Sequence, residues 1–111
     1  MSKEINTYYK DFQFSIDRIE YHISQVFSFA DFKNAITVSD AVERRLCIIG
    51  EALWRIDKLD KDAKISDKQK TIGLRHILTP EYDLINPEII WKLIENNLPV
   101  LKEEVNNILN S

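Results

Sequence analysis

The residues best suited to chemistry lie in one stretch, Thr71-Ile-Gly-Leu-Arg75-His76-Ile-Leu-Thr-Pro80-Glu-Tyr82-Asp83. Ile72, Leu74, Ile77 and Leu78 are its apolar members, so Arg75 falls between positions that a core would claim. The spacing puts Arg75 near the C-terminal end of a short helix with Tyr82 just beyond it. A guanidinium and a hydroxyl could then face the same side of that helix end. A guanidinium offers a fixed fork of donors that matches phosphate oxygens, and a phenol adds one more polar group. The plainer alternative is an arginine that caps the helix C-terminus or pairs with a carboxylate.

Other chemistries find little to work with. Gly50 and Gly73 are the only glycines, which leaves no phosphate-cradling loop. The chain has one cysteine and two histidines, and neither His22 nor His76 sits in a Glu-x-x-His or His-x-x-x-His arrangement, so no metal or other cofactor is expected. Cys47 has no partner for an intramolecular disulfide, and its neighbours Leu46, Ile48 and Ile49 suggest a buried thiol. It also lacks an obvious histidine to activate it. The net charge of −3 gives none of the basic surplus of a general nucleic-acid binder. Contact with RNA would have to use a local site or a partner's help.

The elements that must position these residues are helical. Ile5, Tyr9, Phe12, Ile16, Ile19, Ile23 and Val26 follow a 4-3-4-3-4-3 spacing, one apolar seam over three heptads. Tyr8 flanks the seam, and Phe14 and Tyr21 form a second apolar edge that could meet another subunit. Phe27 to Thr37 reads as a turn and a short helix. A second long helix is expected from Ser39 or Asp40 to about Lys58, with Val38, Val42, Ile49, Ala52, Ile56 and Leu59 in a heptad-like register. Arg45 falls on that apolar stripe and needs a partner or a route to solvent. Gly50 in mid-helix costs about 1 kcal/mol relative to alanine, a cost usually tolerated where another backbone approaches closely. Glu51 beside it is expected to pair with Arg75 or Arg45 across the helix interface, or to lie solvated on the helix surface.

After the charged connector Leu59 to Ile65, Ser66 and Gln69 fit a capping box for a third helix from Asp67 to about Leu78. Pro80 disfavours helical geometry at Thr79 and stops it. Asn86 caps a fourth helix with Pro87 at its first position. Ile90, Ile94, Leu98, Leu101, Val105 and Ile108 form its buried stripe, and Pro99 should kink or break it near Asn96 to Leu98. With 44% apolar and 30% charged residues the composition is that of an ordinary globular chain, and two glycines and three prolines argue against a turn-rich β fold. The expected architecture is all-α: an antiparallel up-and-down four-helix bundle, with a short extra helix between the first two long ones, in a single domain over residues 1–111. No stretch approaches the ~20 apolar residues of a membrane span and no signal-peptide pattern opens the chain, so the cytoplasm is the expected compartment.

Three further motifs, in order, carry a resemblance. Ala41-Val-Glu-Arg-Arg-Leu-Cys-Ile-Ile-Gly-Glu-Ala52 is similar to the second-helix signature of the HepT-like branch of the HEPN family, an arginine followed by an apolar stretch and Gly-Glu-Ala. Ile72-Gly-Leu-Arg75-His76 resembles the start of its third helix, where Arg-Asn is usual. Tyr82-Asp83, with Glu88-Ile-Ile-Trp91 and Leu98-Pro99-Val-Leu101-Lys102, resembles its C-terminal region. The resemblance implies a HEPN-like bundle and a metal-independent ribonuclease toxin. In that family a homodimer brings two copies of Arg-x4-His-x-Tyr into one cleft, and a small nucleotidyltransferase antitoxin adds AMP to the motif tyrosine in some pairs. Carried over, the phosphate-holding arginine is Arg75 and the AMP acceptor is Tyr82. The proton-moving histidine falls on Pro80, which has nothing to titrate, so cleavage is expected to be severely weakened or lost. His76 stands where the family has asparagine. It is a candidate substitute, although one position past Arg75 on a helix it should point elsewhere. The second reading is a non-catalytic helical dimer that binds its partner or RNA.

Overall fold

The computed structural model describes residues 1–79 and 86–111, and every described element is helical. Helix α1 (Lys3–Ile23) starts where the Ser2 hydroxyl accepts from the Ile5 amide at 3.2 Å, with Glu4 in the first turn facing the helix's positive end. Its seam buries Ile5, Tyr9, Phe12, Ile16 and Ile19, while Ile23 and Val26 pack against the edge of the core. Short helix α2 (Phe29–Asn34) is capped by Ser28 and pins Phe32 fully in the interior.

The next helix, α3 (Ile36–Leu59), begins earlier than the sequence suggests. Neither Ser39 nor Asp40 caps it; the chain turns at Ala35, which makes no side-chain cap, and the Ser39 amide bonds the Ala35 carbonyl at 2.9 Å. The β-branched run Ile36-Thr37-Val38 is a modest helix former, but packing overrides propensity once Phe32 and Val38 dock on the core.

The capping box at Ser66 does not form. Its amide and hydroxyl both bond the Glu104 carboxylate, at 3.0 and 2.6 Å, a contact across 38 positions that local sequence cannot announce. Helix α4 (Lys68–Gly73) instead follows Asp67, which adopts a left-handed conformation (φ 52°), and continues as a 3-10 turn, Leu74–His76. Asn86 does cap α5 (Pro87–Asn96), accepting from the Glu88 amide at 2.9 Å. The break before Pro99 also forms, at Asn97, where α6 (Leu98–Leu109) begins.

Neighbouring rods run antiparallel. On α1 and α6, Gln13 bonds Asn106 and Glu20 bonds Lys102, so one chain position rises as the other falls. Between α1 and α3, Phe14 meets Arg45 while Tyr8 and Asp11 line one groove with Glu51 and Arg55. Between α3 and the α4 region, Asp57 meets Lys68 and Cys47 meets Arg75. The result is an all-α up-and-down bundle with one contiguous core among the described residues. None of the described helices is long and apolar enough to cross a membrane.

Candidate phosphate-binding site

The position of Arg75 is set from below by Gly50. A Cβ at Gly50 would collide with the Arg75 amide nitrogen and stand 2.9 Å from the Leu74 carbonyl carbon and 3.0 Å from the Thr71 oxygen. The mid-helix glycine therefore lets the 3-10 turn lie directly on α3. Leu74 and Ile77, both 1% exposed, hold the turn from the core side. The Cys47 thiol donates to the Arg75 carbonyl at 3.2 Å. Burial, the largest influence on that thiol, pushes it above its ordinary pKa, so the proton it donates stays in place.

With its backbone fixed on both sides, Arg75 sends its half-buried side chain outward. The guanidinium lies 4.6 Å from the centre of the Trp54 ring, and its Nε donates to Nε2 of His76 at 3.1 Å. This corrects the expectation that His76 points elsewhere. The arginine side chain is long enough to double back over its neighbour, so adjacency along the helix does not keep the two heads apart. His76 is exposed, and its carbonyl accepts from both the amide and the hydroxyl of Thr79, which close the turn. Pro80 and Tyr82 lie outside the described residues, as does the expected approach of Tyr82 to Arg75.

Glu51 and Arg45 behave differently from the expected cross-interface pair. Glu51 takes the other expected place, half-exposed on the helix surface, and bonds Arg55 one turn along its own helix at 3.2 Å. Arg45 turns toward α1 and spreads over Phe14, 5.2 Å from its centre, which carries the charge from the apolar stripe to solvent. It joins Arg18, 4.9 Å over Tyr21, and His22, which meets the Tyr21 ring edge-on. Burial first, then Arg18 and Arg45, hold His22 below its ordinary pKa.

Trp54 is the site residue that sequence reasoning missed. Besides Arg75, its ring carries Lys58 at 4.4 Å and Arg55 at 5.0 Å. The one-turn spacing of Trp54 and Lys58 was a readable signal; the arrival of Arg75 from another element was not. Among the described residues, no carboxylate lies within ion-pair distance of Arg75 or Lys58. The described residues also hold no group of three or more His, Cys, Asp or Glu side chains placed for a metal ion. What the arrangement can do is grip an anion with a guanidinium whose backbone is held in place, backed by a lysine and an imidazole.

Comparison with known proteins identifies the family. The family described as "Ribonuclease HepT-like" matches residues 12–108. A Caldanaerobacter subterraneus subsp. tengcongensis protein named "Putative RNase TTE0752" is 37% identical over 84 residues, 74% of each chain. The Methanocaldococcus jannaschii protein named "Putative RNase MJ1380" is 36% identical over 77 residues, 68% of this chain and 70% of that one. No solved structure matches the chain. Because the match runs from the middle of α1 almost to the end of α6, and so takes in Gly50, Trp54 and Arg75 together, the chain belongs to the HepT-like ribonuclease family.

Proposed function

We propose that this chain acts on RNA through Arg75, which holds the phosphate at the scissile bond, and that cleavage is severely weakened because Pro80 occupies the place of the family's histidine. The observation that carries the first half is the fixing of the Arg75 backbone by Gly50 and the Cys47 thiol, with its half-buried guanidinium resting on the Trp54 ring. RNA cleavage without a metal needs three things. The ribose 2′-hydroxyl must lose a proton as it attacks phosphorus, the departing 5′-oxygen must gain one, and the phosphate's growing negative charge must be held. Arg75 supplies the last. Proline supplies neither of the first two, and loss of general acid–base help typically lowers a rate by about 10²–10⁴-fold.

A second reading is favoured by the Arg75–His76 contact. A phosphate that draws the guanidinium away frees Nε2 of His76 to take a proton, so some cleavage survives through His76.

The proposed working unit is a homodimer. Phe14 and Tyr21, about half exposed on one edge of α1, support it as a surface that a second copy would cover. Its partner is a small nucleotidyltransferase antitoxin, and Tyr82 is the residue that would accept AMP. If cleavage is lost altogether, the protein serves as a helical dimer that binds that partner or RNA.

The test is expression of the wild type, Pro80→His, His76→Ala and Arg75→Ala without the partner, with growth and total-RNA integrity as readouts. RNA damage that appears only with Pro80→His supports the weakened-nuclease reading. Damage by the wild type that His76→Ala abolishes supports the second. Intact RNA in every culture, Pro80→His included, sinks both.

A further inference from the structure

Three positive groups converge on one indole. Lys58, Arg75 and Arg55 stand 4.4, 4.6 and 5.0 Å from the Trp54 ring centre. Like charges gathered this closely repel, and each cation–π contact returns only about 0.5–1 kcal/mol at an exposed site. Glu51 offsets Arg55 alone. The chain has 18 acidic residues against 15 basic ones, so carboxylates were available, and yet Lys58 and Arg75 take none among the described residues. The gathering of three cations around a half-buried aromatic ring points to an anion that also carries something flat to stack.

We propose that Trp54 is a stacking subsite for one unpaired nucleobase of a single-stranded RNA, with Lys58 on the phosphate next to the one held by Arg75; this rests on the reading of Arg75 above. The strand then runs along the outer face of α3, from the 3-10 turn toward the Lys58 end. In the free protein Lys58 and Arg75 are parked on the indole. When RNA binds, they move to phosphates and the base takes the ring face they leave. Duplex RNA cannot make this exchange, because its bases are already stacked and its deep groove hides their edges. A bare polyphosphate engages the cations but has nothing to place on the ring.

The test uses the purified full chain and three probes: an end-labelled oligouridylate, a blunt RNA duplex and inorganic polyphosphate. Trp54→Ala weakens oligouridylate binding about tenfold to a hundredfold, the usual worth of one base–aromatic stack, while Trp54→Phe loses much less. Lys58→Gln, an exposed change with little bearing on folding, weakens binding and flattens its salt dependence by about 0.7 in log–log slope, one phosphate contact on a single strand. In a Trp91→Phe chain, where Trp54 is the sole tryptophan, oligouridylate quenches the fluorescence and polyphosphate does not. If Trp54→Ala weakens polyphosphate and oligouridylate equally, Trp54 merely steadies Arg75 and the stacking subsite is wrong. If Trp54→Ala and Lys58→Gln bind like the wild type while Arg75→Ala does not, the subsite is wrong and the Arg75 reading stands. A wild type that binds none of the probes overturns both.

Discussion

Gly50 and Arg75 meet backbone to backbone: the space that a side chain at Gly50 would need is filled by the Arg75 amide. Glycine to alanine in an exposed helix interior usually stabilises by about 1 kcal/mol. Here the sign reverses, because the obstacle is backbone and cannot swing aside. Gly50→Ala is expected to destabilise by about 1–3 kcal/mol, the range for overpacking, and to displace the 3-10 turn. Denaturant unfolding of the two chains checks this, and a more stable variant would contradict the close contact.

Glu51→Ala is expected to do little to folding. Its bond to Arg55 is an exposed pair one helical turn apart, worth no more than about 0.5 kcal/mol. Oligouridylate binding should tighten in this variant, since Arg55 loses its counter-charge beside Trp54. Unfolding and titration of the same preparation report both effects; a loss of several kcal/mol would mean Glu51 does more than hold Arg55.

His22 should titrate below 6.5, and Arg18→Gln or Arg45→Gln should each move it upward. A histidine whose pKa is depressed by folding binds fewer protons folded than unfolded. Its contribution to stability is therefore present above pH 6.5 and is lost as pH falls through the lowered folded value. NMR titration of the imidazole in the three chains is the check, with an unmoved midpoint in both variants as the contrary result.

At the other end of α3, Lys68 donates to Asp57 at 3.1 Å and holds its carboxyl below the ordinary 3.8. The sign is that of a depressed acid: the stabilisation is present above 3.8 and disappears as pH falls through the lowered value. Melting temperatures of the wild type and Asp57→Asn from roughly pH 2 to pH 7 should differ at neutral pH and converge in acid. A gap that persists to the lowest pH would mean that something other than the ionised pair is lost.

Much of this was legible in the chain. The α1 seam, the Asn86-Pro87 start and the break before Pro99 were readable because each is written in local spacing or in a residue with a fixed backbone effect. Gly50 was readable for the opposite reason, as a local cost that only a distant contact explains. The failures are equally specific. Ser66 looked like a cap until Glu104 took its hydroxyl, and Ile36 starts a helix that its own β-branched neighbours disfavour. Of the two places expected for Glu51 the structure has the surface one, where Arg55 is one turn away. Trp54 was invisible as a site because its third cation arrives from another element, 21 positions along the chain.

The central claim is that Arg75 is a working phosphate grip and that Pro80 is what disables the chemistry beside it. The direct measurement is cleavage of an end-labelled single-stranded RNA by the purified wild type, Pro80→His, and Pro80→His combined with Arg75→Ala. Pro80→His is predicted to cleave about 10²–10⁴-fold faster than the wild type, and the added Arg75→Ala change to remove that gain. A Pro80→His chain that cleaves no faster than the wild type, or one that keeps its activity without Arg75, would contradict the account.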